Sequence, residues 1–101
     1  MTDQHITVPV AKGVEDLIPA FLKNRAAELE MLRNALSCSD FEQLSRIGHR
    51  MVGVGEPYGF EKVSTLGKQI EDSAQAGDHA ALVKRVDEYA DYLARVRIVY
   101  K

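Results

Sequence analysis

The strongest constraint on the fold comes from residues 41–60, where apolar residues at helical spacing lead into the glycine-rich segment GHRMVGVGEPYGF (48–60). The residues that share one face of this helix are Phe41, Leu44, Ile47, Gly48 and Met51. Since successive helical residues are about 100° apart, His49 lies about 140° from the centre of that face and is expected to point outward. An apolar face of this kind must be covered by other helices, which favours a helical bundle.

Two glycines of this helix need a reason, because a glycine inside a helix costs about 1 kcal/mol relative to alanine. Gly48 lies on the apolar side, where it would allow a neighbouring helix to pack closely. Gly53 lies one turn beyond His49 and would leave the surface over the imidazole open to an approaching molecule. A neutral imidazole is a good nitrogen nucleophile near neutral pH, because its unperturbed pKa is about 6.5. His49 is therefore the candidate for chemistry with an external partner.

Similar spacing predicts further helices joined by short connections. The predicted helices run from Pro19 to about Ser37, from Asp40 to between Gly55 and Tyr58, from Phe60 or Glu61 to Gly77, and from Asp78 to about Val96. Asp40 and Asp78 are expected to cap the helices that follow them, and Gly59 suits a left-handed residue beyond a helix end. Tyr58 and Phe60 are expected to pack the end of the His49 helix onto its neighbours.

The helix that starts at Pro19 carries both apolar and charged residues. Its expected core-facing stripe is Leu22, Ala26, Leu29, Leu32 and Leu36. Arg25 and Glu28 are expected to lie away from that stripe, on the solvent side.

The two ends of the chain carry short pieces without helical spacing. Residues 7–10 (TVPV) are expected to form an extended tail laid on the bundle, and residues 14–18 a short helical turn. Residues 97–100 either fray or run alongside the N-terminal tail, and no segment is predicted to be a strand. We therefore expect one all-α domain over residues 1–101, with a tail at 1–12. Residues 14–101 would form an antiparallel up-down four-helix bundle with a short extra N-terminal helix.

Composition excludes several classes of function. The net charge of −2 gives no electrostatic basis for nucleic-acid binding. Cys38 is the single cysteine, so an internal disulfide is excluded, and the three histidines lack the carboxylate spacing of a metal site. No apolar run approaches the roughly 20 residues of a membrane span, and the first residues are not those of a secretory signal. We expect a cytoplasmic protein that does not bind a membrane.

The segment from His49 to Phe60 resembles the signature of histidine-containing phosphotransfer (HPt) domains, which is a histidine, two residues, a lysine, a glycine and then a glycine-closed turn. Residues 16–22 (DLIPAFL) and 70–78 (IEDSAQAGD) are also similar to the family, so the likeness covers nearly the whole chain. One position departs from the pattern, because Val52 stands where the family has its lysine.

This resemblance implies that the imidazole nitrogen distal to the backbone accepts a phosphoryl group from a receiver-domain aspartate and passes it to another. The implied partners are response-regulator receiver domains and a hybrid sensor histidine kinase. The receiver would supply the magnesium ion, so the chain itself would need no cofactor and would have no kinase or ATPase activity. The resemblance further implies a monomer.

The resemblance also assigns supporting residues around His49. Glu71 would accept a hydrogen bond from the proximal imidazole N–H, or else it is a surface carboxylate paired with Lys68 or Arg50. Arg46 and Arg50 could replace the missing lysine as phosphate-binding cations, or they could be solvated helix charges.

The surface that docks the partner is expected to be apolar and to lie around the histidine, at Ser45, Val52 and Gly53, with Ser45 and Val54 the weaker candidates. Two functions from different classes stay open at this stage. The first is a phosphorelay shuttle, favoured by His49 together with Gly53. The second is a helical binding adaptor that docks receiver or kinase domains without phosphotransfer, favoured by Val52.

Overall fold

A computed structural model describes residues 5–100 and shows four α-helices and a two-stranded sheet that joins the two ends of the chain. The elements in chain order are β1 (Ile6–Val10), a 3-10 helix (Lys12–Leu17), α1 (Ile18–Ser37), α2 (Phe41–Gly55), a 3-10 turn (Glu56–Tyr58), α3 (Glu61–Gln75), α4 (His79–Arg95) and β2 (Val96–Tyr100). No helix within the described residues is long and apolar enough to cross a membrane.

The helices end where the sequence places their caps and breaks. Asp40 accepts a hydrogen bond from the backbone N–H of Gln43 at 3.1 Å, and Asp78 accepts one from Ala81 at 3.1 Å. Gly59 follows the 3-10 turn with a φ of 88°, in the left-handed region that favours glycine. These three predictions are confirmed. Asp40 marks the start of the helix that carries His49, Gly59 ends the 3-10 turn that follows this helix, and Asp78 marks the start of α4.

The core lies where the helices meet, and every helix contributes fully buried side chains to it. Its members on α1 to α4 include Leu32, Leu44, Met51, Leu66, Ile70, Leu82 and Tyr89. Phe60 is buried and its ring stacks on that of Phe21, with centroids 4.7 Å apart. The ring of Tyr58 is also 4.7 Å from that of Phe21, so these aromatic rings pack the end of α2 onto α1 as expected.

α2 and α3 approach each other more closely than side chains would allow. A Cβ atom on Gly48 would lie 2.6 Å from the carbonyl oxygen of Gly67, and one on Gly67 would lie 2.6 Å from that of Gly48. Ser45 lies beside Gln75, and Gly55 lies beside Ser64, so the two helices run antiparallel. The expected role of Gly48 in close helix packing is therefore confirmed.

The expectation of an all-α chain without strands is wrong at the two ends. β1 and β2 pair in parallel with Ile6 opposite Val96 and Val10 opposite Tyr100. Both segments are rich in β-branched residues, and Pro9 is tolerated because a strand of a two-stranded sheet always has a free edge. Val8 and Val10 point into the core, which anchors the sheet to the helices.

The N-terminal part of the chain differs in part from the expected tail and short extra helix. The first regular element is a strand, and the helical turn expected at residues 14–18 is a 3-10 helix at Lys12–Leu17. Of the two alternatives for residues 97–100, extension alongside the N-terminal tail is the one observed. The first four residues of that expected tail, and Lys101, lie outside the described residues.

Candidate functional site

His49 lies on the outer side of α2, as the helical spacing predicts. Its side chain is 78% exposed. Apart from its chain neighbours and the nearby backbone of its own helix, no atom lies within 4 Å of the space that a Cβ atom on Gly53 would occupy, so the surface one turn beyond the imidazole is open. A second molecule can therefore reach the ring without any rearrangement of the helices.

Glu71 of α3 holds the imidazole ring from one side. Its Oε2 lies 3.0 Å from Nδ1 of His49, and its side chain is only 15% exposed. An ionised carboxylate can only accept, so this hydrogen bond selects the tautomer that carries its proton on Nδ1. The lone pair is then on Nε2, the nitrogen distal to the backbone.

The close approach of Gly48 on α2 to Gly67 on α3 explains why Glu71 can reach His49. A Cβ atom on Gly48 would lie 2.7 Å from the backbone nitrogen of Glu71, so the α3 backbone passes directly against the residue that precedes His49. A bulkier residue at either glycine would move α3 outward and withdraw the carboxylate from the ring. The contact between residues 49 and 71 is thus a product of helix packing.

The second oxygen of Glu71 faces a lysine on its own helix. Nζ of Lys68 lies 4.0 Å from Oε1 of Glu71 and 3.2 Å from Oδ1 of Asp72. The two interpretations of Glu71 offered by the sequence therefore coexist, because one oxygen accepts from His49 while the other lies near a cation. Within residues 5–100, no cluster of three or more histidine, cysteine or acidic side chains is arranged to hold a metal ion.

The two arginines expected to support a phosphoryl group pair with other carboxylates. Nη2 of Arg46 lies 3.1 Å from Oε1 of Glu42, and both side chains are exposed. Nε of Arg50 lies 3.8 Å from Oε2 of Glu28, which belongs to α1 and is buried. The structure therefore brings Glu71, but neither arginine, into contact with the imidazole.

The residues expected to dock a partner differ in exposure. Ser45 is half-buried, and its Oγ accepts a hydrogen bond from Nε2 of Gln75 at 3.5 Å. Val52 and Val54 are half-buried, while Gly53 is exposed. The backbone carbonyl of Val52 accepts a hydrogen bond from Oγ of Ser64 at 2.9 Å, which fastens this turn of α2 to α3.

A buried polar cluster near the site was not predicted. Glu28 is 3% exposed, and its Oε1 accepts a hydrogen bond from the Tyr89 hydroxyl at 2.9 Å. Nε of Arg25 lies 3.1 Å from the same oxygen, without the alignment of a hydrogen bond. The Arg25 guanidinium lies 4.7 Å from the centroid of the Phe21 ring. Burial, together with the charge of Glu28, raises the pKa of the Tyr89 hydroxyl well above its usual value.

This cluster corrects the assignment of Arg25 and Glu28 to the solvent side of α1. The buried residues of α1 are Ile18, Phe21, Arg25, Glu28, Leu29, Leu32 and Ala35. Positions 18, 21, 25, 28, 32 and 35 alternate three and four apart, and that spacing was the available signal. It was missed because two charged residues interrupt it.

Comparison with known protein families gives a match. A family model described as Hpt domain matches residues 16–98 of the chain, from the end of the first 3-10 helix into β2. No curated protein and no solved structure shows significant similarity to the chain.

Proposed function

The chain belongs to the Hpt domain family, and we propose on that premise that His49 is its phosphoacceptor. Hpt domains take part in histidine phosphotransfer in two-component signalling and interact there with receiver domains and kinases. They are phosphocarriers rather than true enzymes. In this proposal, the chain accepts a phosphoryl group from a receiver aspartate and passes it to a second receiver.

The observation that best supports His49 is its 3.0 Å contact with Glu71 on an otherwise exposed ring. In the proposed step, the Nε2 lone pair attacks the phosphorus of the receiver's aspartyl phosphate. The N–P bond forms while the P–O bond to the aspartate breaks, and the aspartate leaves as a carboxylate with the bonding electrons. The Nδ1 proton stays on the ring, which becomes positively charged, and the carboxylate of Glu71 stabilises that charge.

The remaining parts of the proposal concern the surroundings of His49. The receiver docks over the exposed side of α2 at Ser45, Val52 and Gly53, and supplies the magnesium ion on its own side of the interface. Arg46 and Arg50 assist the phosphoryl group only if they leave Glu42 and Glu28, respectively.

The proposal also covers the whole protein. The four helices run up and down in an antiparallel bundle, and the protein acts as a cytoplasmic monomer between a hybrid sensor kinase and its receivers.

Intact mass spectrometry tests this function directly. The wild type, His49→Ala and the control His79→Ala are each mixed with a panel of phosphorylated receiver domains and magnesium. His79 is a suitable control because it is exposed and lies at the start of α4, outside the site. We expect one acid-labile phosphoryl group on the wild type and on His79→Ala, and none on His49→Ala.

The same experiment separates the shuttle from the binding adaptor. If no receiver that readily charges another Hpt protein charges the wild type, phosphotransfer is rejected and the adaptor becomes the better explanation. If His49→Ala still gains the phosphoryl group, His49 is not the acceptor. The family match does not favour the adaptor.

A further inference from the structure

Two negative charges meet at the site during transfer, and Val52 provides no positive charge to balance them. The phosphoryl group that approaches His49 carries negative charge, and Glu71 places a second negative charge 3.0 Å from the ring. Val52 occupies the position of the family's lysine and contributes no cation. A positive charge must therefore come from another element if the two negative charges are to be balanced.

A cation close to the Glu71 carboxylate lies on α3 itself. Nζ of Lys68 is 4.0 Å from Oε1 of Glu71, whereas the imidazole contacts the other oxygen, Oε2. Lys68 and Glu71 are three positions apart, a spacing at which helical side chains meet. The side chain of Lys68 is 64% exposed, so its ammonium group can adjust as a partner docks.

We propose that Lys68 is a positioning residue of the phosphotransfer site, and this inference rests on the proposed function of His49. Lys68 holds Oε1 of Glu71, which keeps Oε2 directed at Nδ1 of the imidazole. Its positive charge also offsets the carboxylate, so an incoming phosphoryl group meets less repulsion. The cation of this site thus comes from α3 instead of α2.

Asp72 offers the competing explanation. Its Oδ1 is 3.2 Å from Nζ of Lys68, which is nearer than Glu71, and both side chains are largely exposed. A surface pair of this kind contributes little to stability and would leave the chemistry untouched. The two explanations differ in what happens when Asp72 is removed, because Lys68 is then left with Glu71.

The test uses single-turnover transfer from a phosphorylated receiver and the tautomer of His49, read from the ¹⁵N shifts of the ring. The variants are Lys68→Met, Lys68→Arg, Asp72→Asn and the control Lys62→Met, which changes an exposed lysine on the same helix. We expect Lys68→Met to slow transfer about two- to fivefold, the size of effect that an exposed ion pair supports. Lys68→Arg should restore most of the rate, and Lys62→Met should match the wild type.

The tautomer measurement shows whether Lys68 acts through Glu71. At about pH 8.5, where an ordinary imidazole is neutral, the wild type should hold its proton on Nδ1, and Lys68→Met should show a more mixed population. Asp72→Asn should keep both the tautomer and the rate. The proposal is wrong if Asp72→Asn lowers the transfer rate and disturbs the tautomer as much as Lys68→Met does. It is also wrong if Lys68→Met changes neither the rate nor the tautomer.

The double variant Val52→Lys/Lys68→Met tests the replacement of one cation by the other. Recovery of the transfer rate would show that a charge at position 52 can do what Lys68 does, while a rate no better than that of Lys68→Met would argue against a shared role. The tautomer readout needs no receiver. If the wild type never accepts a phosphoryl group, the shuttle function is rejected. The tautomer data still test, in that case, whether Lys68 acts on Glu71.

Discussion

At the scale of single residues, Glu71 is the side chain on which the site depends, because its two oxygens have different partners. One oxygen accepts from Nδ1 of His49 and the other faces Nζ of Lys68. The first contact orients the ring and the second concerns charge. These two effects can be separated, because a glutamine at this position retains an acceptor oxygen without the negative charge.

We therefore expect Glu71→Gln and Glu71→Ala to behave differently. Glu71→Gln should keep the proton on Nδ1 of His49 and slow transfer only modestly. Glu71→Ala should lose the preferred tautomer and slow transfer about tenfold, which corresponds to about 1.4 kcal/mol in the activation free energy. Single-turnover kinetics and ¹⁵N shifts of the ring measure both effects. Equal rates for the two variants would mean that the hydrogen bond does not orient the nucleophile.

The sequence allowed the direction of His49 to be predicted, but left Glu71 with two alternatives. The direction follows from helical geometry, which places residue 49 opposite the apolar face. The contact with Glu71 depends on how closely α3 approaches α2, and that distance is set by Gly48 and Gly67 on two different helices. Spacing along one helix cannot give a distance between two helices.

The buried Tyr89 makes stability depend on pH in the alkaline range. A tyrosine hydroxyl titrates near pH 10 in an unfolded chain, and burial with the Glu28 charge raises the Tyr89 pKa in the folded protein. Burial also raises the pKa of Tyr92 to about 12. Because both pKa values are raised, the stabilisation is complete below about pH 10 and is lost as the pH rises through the folded pKa values.

The variant Tyr89→Phe tests this dependence by urea unfolding at several pH values between about 7 and 11. At neutral pH it should be less stable by about 1–3 kcal/mol, because Glu28 loses its hydroxyl donor. Above about pH 10 its free energy of unfolding should fall less steeply than that of the wild type. Parallel curves for the two proteins would show that Tyr89 does not titrate with unfolding.

At the scale of the helices, α1 shows how a charged pair can hide a buried face. Arg25 and Glu28 stand at core-facing positions of a regular three-and-four spacing, and together with Tyr89 of α4 they form a buried cluster. Hydrophobicity alone rotates the expected face toward Leu22 and Ala26, of which Ala26 is exposed. A buried charge is tolerated only when it has partners, and Glu28 has Arg25 on α1 itself and Tyr89 on α4. The partner on α4 is not visible in the sequence of α1.

The two glycines of α2 that flank the histidine give a matched pair of variants. Gly48→Ala would place a Cβ atom 2.6 Å from the carbonyl oxygen of Gly67, while Gly53→Ala meets no atom within 4 Å. We expect Gly48→Ala to lower the free energy of unfolding by about 1–3 kcal/mol through overpacking. Gly53→Ala should raise it by up to about 1 kcal/mol, because alanine is the better helix former.

The same pair separates packing from docking. Gly48→Ala should also disturb the His49 tautomer, because α3 carries Glu71 away from the ring as it shifts. Gly53→Ala should leave the tautomer unchanged and slow transfer only if the receiver approaches closely at that turn. Urea unfolding, ¹⁵N shifts and single-turnover transfer measure these effects. A Gly48→Ala protein with wild-type stability would mean that the two helices separate at no cost.

At the scale of the whole molecule, the sheet connects the two ends of the chain and lies partly outside the region that matches the family. β1 covers Ile6–Val10, whereas the family match begins at residue 16. Each strand has five residues, which is too short for its hydrophobic periodicity to predict a strand. The partner of β1 is β2, at the other end of the chain. Parallel pairing between the ends follows from the folding of the helices between them.

If the sheet stabilises the bundle, a change at its buried face should weaken the whole protein. Val10 is 1% exposed, while Thr7 of the same strand is exposed, so Val10→Ala and Thr7→Ala form a matched pair. Val10→Ala should lower the free energy of unfolding by about 1.5–3 kcal/mol through lost burial and the cavity left behind. Thr7→Ala should change it by less than about 0.5 kcal/mol, as surface substitutions usually do. Both proteins should transfer phosphate at the wild-type rate while folded, because His49 and Glu71 lie on α2 and α3, whereas the changed positions lie on β1. Urea unfolding with amide hydrogen exchange on β2 measures the effect, and equal stability of the two variants would show that the sheet is an addition to the bundle that contributes nothing to its stability.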